Sequence, residues 1–265
     1  MRKLNEIRSA AREKRPLIHC ITNPISINQC ANTVLAAGAR PIMAEHPAEV
    51  KEITESADAL VLNLGNITDV RMKSMELSLQ AAKAKKIPVV LDAVGAACSG
   101  LRREFAARLL ATAKPAVLKG NYSEIYALYQ AAYHSAGVDA DTALQEETVR
   151  EAASELARKY NTTVLASGRT DIVTDGVQYV LIRNGSPQLA TVTGTGCMLG
   201  VLCGVYLPVC SGTAAAAAAC AMLGCCGQIA ETEKGSGTFL VNLLDALSTV
   251  TDAQLEELIE LEETR

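Results

Sequence analysis

The sequence predicts an α/β fold: a mostly parallel central sheet, helices on both faces, and an antiparallel edge. Three observations predict it. Short runs that are apolar throughout, such as ADALVLNL and VVLD, alternate with helical stretches, which is how strands buried on both faces read. A late Asp175-Gly176 turn between two apolar runs signals a hairpin. After Gly196 the pattern is helical only. The length of 265 residues fits one large domain covering 1–265.

The elements follow in order. Residues 2–14 read as a helix stopped by Pro16, and 17–21 as a short apolar strand. A helix over 25–38 closes at Gly38, and 41–44 forms a second short strand. Helix 47–56 leads to strand 58–64. Thr68 caps a long helix over 68–86, followed by strand 88–92. Helix 101–113, strand 115–119 and a helix over 121–133 with Asn121 as cap come next. Residues 134–141 read as a mobile loop. Helix 142–160 precedes strand 163–166, and the hairpin pairs 171–174 with 177–183. Residues 188–192, just after Pro187, suggest one more strand. Helices over 196–207, 212–232, 238–248 and 252–263 complete the chain, the last an acidic amphipathic helix with a solvated face.

Composition excludes several function classes. Hydrophobic residues make up 49%, which excludes disorder. Aromatics are 3% with no Trp, and net charge is −4. Neither a base-stacking platform nor a phosphate-backbone partner fits, so no nucleic acid is expected. The nine cysteines are odd in number and form no CxxC pair. They read as small hydrophobes in a reducing cytoplasm rather than as a zinc or disulfide framework. No charged residue occurs from Asn184 to Ala230. Glycines and Pro208 divide that run, and Ala, Gly and Cys fill it, so it reads as a buried helix layer rather than a membrane span.

Four motifs carry chemistry. In VTGTGCMLG, a strand-like segment ends, glycines follow and a helix starts. Gly194, Thr195 and Gly196 leave the backbone open to an anion, and Cys197 falls in the first helical turn. No Lys follows, so this is no Walker A loop. Asp92 ends the buried strand VVLD, where open α/β sheets bind ligands. In KGNYSE, Lys119 ends a strand and Glu124 falls on the next helical turn. Asp92 and Glu124 therefore stand where one divalent cation would meet both, although each also fits a helix-cap or turn role. HCITNP sets neutral polar groups, Asn23 among them, just after the first strand, which suits an uncharged heterocycle or alcohol. His19 lies within an apolar strand and reads as a core histidine.

These stretches occur in a recognisable order: HCITN, PIMAEHPAEV, ADALVLNLG, VVLDAVG, KGNYSEI, VTDG, VTGTGCMLG and GSGTF. Together they resemble the hydroxyethylthiazole kinase family of the ribokinase-like superfamily, from about residue 15 to 250. The resemblance implies a ribokinase-like kinase that phosphorylates 4-methyl-5-(2-hydroxyethyl)thiazole with ATP and Mg²⁺ in thiamine salvage. It implies that Cys197 stands where most of the superfamily has a catalytic Asp, with Gly194 to Cys197 as anion hole. It implies that Asn23, Met43 and Gly194 line the thiazole site. Lys119 and Ser167 would face ATP, Asp92 and Glu124 would organise Mg²⁺, and the active sites would lie at the boundaries of a homotrimer.

Three positions depart from the family. Lys119 stands for Arg, Ala93 for Pro and Ser167 for Thr. Lys keeps the charge without the planar fork, and Ala93 is expected to loosen the turn after Asp92. A related kinase with a shifted heterocyclic alcohol, or a non-catalytic ligand-binding relative, stays open on these grounds. So does a cysteine hydrolase or acyltransferase with Cys197 as nucleophile and His19 as base.

Overall fold

The computed structural model describes residues 4–130, 132, 133, 135 and 144–264. Among them one nine-stranded sheet runs in the order β2-β1-β3-β4-β5-β6-β7-β8-β9. Its strands are β1 (Leu17–Ile21), β2 (Arg40–Ile42), β3 (Ala59–Asn63), β4 (Val89–Asp92) and β5 (Val117–Asn121). β6 (Thr163–Ser167), β7 (Asp171–Thr174), β8 (Tyr179–Ile182) and β9 (Leu261–Thr264) complete it. From β2 to β6 every pairing is parallel. From β6 to β9 every pairing is antiparallel. The chain steps from β1 to one side for β2 and to the other for β3, so the strand order reverses beside β1. Crevices at such reversals bind ligands.

Because successive strand residues point to opposite faces, each strand feeds two cores. Ile18, Val61, Val90, Val117 and Leu165 face one apolar cluster, and Leu60, Leu62, Leu91, Leu118 and Val164 face the other. The first is covered by α1 (Leu4–Lys14), α2 (Ile27–Ala36), α8 (Thr195–Tyr206), α9 (Gly212–Ile229) and α10 (Ser236–Thr249). The second is covered mainly by α4 (Asp69–Lys85), α5 (Gly100–Thr112) and α7 (Glu146–Tyr160). The short helices α3 (Val50–Ser56), α6 (Tyr122–Tyr129) and α11 (Asp252–Leu258) fill the remaining connections.

The charge-free stretch forms α8 and α9. α9 is the one helix among the described residues long and apolar enough to cross a bilayer, and 78% of it is buried inside the fold. Its alanines and cysteines are small enough to pack between the sheet and α1, α8 and α10. All nine cysteines are free, and seven are buried.

Three expectations need correction. Residues 188–192 are not a strand: Pro187–Thr191 is a turn of 3-10 helix, with the Ser186 hydroxyl accepting from Gln188 N–H. The last helix stops at Leu258 rather than 263, and Leu261–Thr264 turns back as the edge strand β9. The helix expected over 121–133 ends at Tyr129. The loop expected over 134–141 lies, apart from residue 135, outside the described residues.

Candidate active site

The parallel strands end in a row of polar side chains. Asn63 on β3 is in register with Asp92 on β4, and Asp92 with Lys119 on β5. Each lies two residues beyond Val61, Val90 and Val117, so all three point to the face that α8 covers. Lys119 Nζ donates to Asp92 Oδ1 at 3.0 Å, and both side chains are enclosed. Asn63 Nδ2 donates to the other carboxylate oxygen at 2.7 Å.

Glycine lets α8 approach this row. Gly196, Gly200 and Gly204 recur every fourth residue and so share one helical face. A methyl on Gly200 would sit 3.1 Å from Asp92 Oδ2, and one on Gly196 would sit 3.4 Å from Lys119 Nζ. The Lys119 ammonium therefore lies directly beneath the first turn of α8. Gly194 precedes that turn at φ +90, where a side chain would also collide with Ser26. The first-turn N–H groups and the ammonium lie together at this end of α8.

Cys197 sits in that turn, 9% exposed. Its Sγ accepts from Asn23 Nδ2 at 3.4 Å and from Asn63 Nδ2 at 3.3 Å. Asn23 also donates to Asn63 Oδ1 at 3.1 Å, and its own oxygen accepts from Ser26 N–H at 3.1 Å. The thiol is thus held between the ends of β1 and β3, at the reversal of strand order. Thr195 anchors the loop before α8 by donating to the Leu189 carbonyl at 2.9 Å.

Glu124 is buried at the start of α6. Asn121 and Glu124 form a capping box: Asn121 Oδ1 accepts from Glu124 N–H, and Glu124 Oε2 accepts from Asn121 N–H at 2.7 Å. Glu124 Oε1 accepts from Gly95 N–H at 2.7 Å. Burial pushes its carboxyl up to about 7, against the pull of Lys119 and the two N–H donors. Burial likewise raises Asp92, with Lys119 and Asn63 opposing. For Lys119, burial alone would favour deprotonation, but the charges of Asp92 and Glu124 outweigh it and the ammonium holds its proton above the usual range.

Among the described residues no group of three or more His, Cys, Asp or Glu converges as a metal site. The four oxygens of Asp92 and Glu124 accept from Lys119, Asn63, Gly95 and Asn121, so a hard cation such as Mg²⁺ would meet them through water and would draw its other ligands from substrate phosphates.

The remaining sequence-derived residues fall as follows. Met43, just past β2, is half-buried against the α8-side core. Ser167 ends β6 beside Asn121, and its hydroxyl donates to the Gly120 carbonyl at 3.4 Å. Both lie outside the Cys197 network. His19 is wholly buried on the other face of β1; Nε2 donates to the Ala44 carbonyl at 2.9 Å and Nδ1 pairs with Thr54 Oγ1 at 2.8 Å. Both ring nitrogens are engaged there, so His19 is a strut rather than a base for Cys197; burial lowers its pKa.

Sequence reasoning overlooked Asn63, whose only signal was a polar residue closing an apolar run. It also overlooked a contact of Ala93. That residue is buried, and its N–H donates to the Lys119 carbonyl at 2.8 Å, one rung beyond β4. A proline has no such donor. The departure therefore adds a tie between β4 and β5.

Comparison with known proteins assigns the family. A sequence profile described as the hydroxyethylthiazole kinase family matches residues 8–253. "Hydroxyethylthiazole kinase 2" of Clostridium botulinum (strain Langeland) is 42% identical over 252 residues, 93% of this chain and 95% of the relative. The hydroxyethylthiazole kinase of Thermoanaerobacter pseudethanolicus is 40% identical over 256 residues, 95% of this chain and 96% of the relative. The solved hydroxyethylthiazole kinase of Pyrococcus horikoshii superimposes with a TM-score of 0.91 at 33% identity over the full length of both chains. A pyridoxal kinase of Staphylococcus aureus, with a TM-score of 0.62 and 14% identity, covers 94% of this chain and 98% of its own and shares the fold. The chain belongs to the hydroxyethylthiazole kinase family.

Proposed function

We propose that the protein transfers the γ-phosphoryl group of ATP to the primary alcohol of 4-methyl-5-(2-hydroxyethyl)thiazole, a step of thiamine biosynthesis or salvage. The observation that carries this reading is the position of Cys197. A thiol gripped by two amides at the N-terminus of α8, with Lys119 beneath the same turn, suits an alcohol beside a transferring phosphoryl group.

In this reading the thiazole lies against Asn23, Met43 and Gly194, at the reversal of strand order. The alcohol oxygen attacks the γ-phosphorus as the bond to the β–γ bridging oxygen breaks, giving the phosphate ester and ADP. Cys197 acts as its thiolate: the alcohol proton passes to Sγ, which becomes the neutral thiol. Phosphoryl transfer asks mostly for alignment and charge stabilisation. The N–H groups of Gly194, Thr195, Gly196 and Cys197 face the phosphoryl oxygens, and Lys119 adds a fixed positive charge. Ser167 and Lys119 stand on the nucleotide side. Asp92 and Glu124 would hold Mg²⁺ through water, and the bound cation would neutralise charge on the nucleotide phosphates. The whole chain, 1–265, acts as one domain in the cytoplasm, as a homotrimer with active sites at subunit boundaries.

The test is an ADP-release assay over a panel of heterocyclic alcohols. ADP release with the thiazole alcohol, and not with hydroxymethylpyrimidine or pyridoxal, is the expected result. Turnover of pyridoxal alone would replace the substrate, and no turnover of any alcohol would remove the reaction.

A further inference from the structure

Asn63 touches both halves of the site. All four hydrogen-bonding positions of its amide are taken. Its nitrogen donates to Asp92 Oδ2 at 2.7 Å and to Cys197 Sγ at 3.3 Å. Its oxygen accepts from Asn23 Nδ2 at 3.1 Å and from Gly65 N–H at 2.9 Å. The side chain is 2% exposed. A methyl on Gly65 would come within 2.8 Å of both Asn23 Nδ2 and Asn63 Oδ1, so even the turn after β3 is shaped around this amide.

An amide with one satisfied partner would be an ordinary buried asparagine. This one joins the carboxylate that pairs with Lys119 to the thiol that faces the alcohol. No other described side chain hydrogen-bonds to both. Its orientation admits no swap: Gly65 N–H and Asn23 Nδ2 can only donate, so the oxygen must face them and the nitrogen must face Asp92 and Cys197.

We infer that Asn63 is a positioning residue, which fixes the Cys197 sulfur relative to the Asp92–Lys119 pair and so aligns the alcohol side of the site with the phosphoryl side. The inference rests on the functional reading above for its kinetic consequence, and on geometry alone for its effect on the sulfur. When Cys197 is deprotonated, its sulfur has three lone pairs. Asn23 and Asn63 occupy two, and the third is left to face the alcohol. Without Asn63 the sulfur keeps one amide and is free to turn about its side-chain bond. Misalignment of that size costs rate without costing affinity.

Asn63→Leu keeps the volume and removes both donors. The full-length protein is compared with wild type in two ways. Iodoacetamide alkylation of Cys197 is followed by peptide mass spectrometry, with no nucleotide present. The thiolate is the reacting form, and an N–H donor stabilises it, so alkylation slows about threefold or more. Steady-state kinetics then separate the constants: kcat falls about 10²-fold, while KM for the thiazole alcohol and for ATP stay within about threefold. If Asn63→Leu does not fold, Asn63→Ser, which leaves room for water, takes its place with the same expected directions. An unchanged alkylation rate in a folded variant overturns the inference, and so does a rise in KM at constant kcat. If wild type releases no ADP with the thiazole alcohol, the functional reading falls, while alkylation still decides the role of Asn63.

Discussion

Asp92 and Lys119 face each other from adjacent parallel strands, 3.0 Å apart and sealed beneath a glycine face of α8. The pair explains why opposite charges stand in register on those two strands. A lone buried charge is costly, whereas a hydrogen-bonded pair is tolerated. It also keeps a positive charge directly below the first turn of α8.

Breaking the pair is expected to be costly. Lys119→Met leaves Asp92 buried without its counter-ion and should lower stability by about 3–5 kcal/mol. Adding Asp92→Asn removes the stranded charge and should restore most of that loss, but not activity. Urea unfolding of the single and double variants checks this; equal destabilisation of the two would contradict it.

Gly200→Ala tests the close approach of α8. Its methyl would press on Asp92 Oδ2 at 3.1 Å. Such overpacking costs about 1–3 kcal/mol, and it pushes the helix away from the row it covers. Activity should fall more than stability alone explains. A thermal melt beside an activity assay at a temperature where the variant is folded separates the two effects.

Ala93→Pro installs the family's residue, yet it should destabilise this chain. It removes the N–H that donates to the Lys119 carbonyl. The loss is expected at about 1 kcal/mol or more. A raised melting temperature would mean that the stiffer turn outweighs the lost bond.

Glu124 predicts a pH dependence. Its usual value of 4.5 rises to about 7 in the fold because of burial. The folded state holds this proton more tightly than the unfolded chain, so stability falls as pH rises from about 4.5 through about 7. The contribution is at most on the order of 3 kcal/mol. In protein stripped of divalent cations, the melting temperature of Glu124→Gln should change less steeply between pH 5 and 8 than that of wild type. Parallel profiles would refute this.

Much of this was legible in the chain, for physical reasons that differ by element. Strands such as VVLD are buried on both faces, so they are apolar throughout and hard to mistake. The turn at 194–197 announced itself because only glycine fits a positive φ beside Ser26. Strand β9 was hidden because LEET is an exposed, acidic edge whose pattern continues the helix before it. The segment 188–192 alternates like a strand, but the Ser186 hydroxyl and Pro187 start a tight helical turn instead. Asn63 was invisible as a partner of Cys197 because the two are 134 residues apart, and only the packing of α8 against β3 brings them together. The spacing of Gly196, Gly200 and Gly204 was on the page, but its meaning depended on the row beneath.

The central claim is that Cys197 accepts the alcohol proton and forms no covalent intermediate. The direct measurement is the ADP-release rate of Cys197→Asp and Cys197→Ala beside wild type, with the thiazole alcohol as acceptor. A carboxylate at this position can still take the two amide bonds and the proton, so Cys197→Asp should stay active. Cys197→Ala should lose about 10²–10⁴-fold, with residual turnover from the N–H groups and Lys119. A well-folded Cys197→Asp protein as inactive as Cys197→Ala would contradict the account.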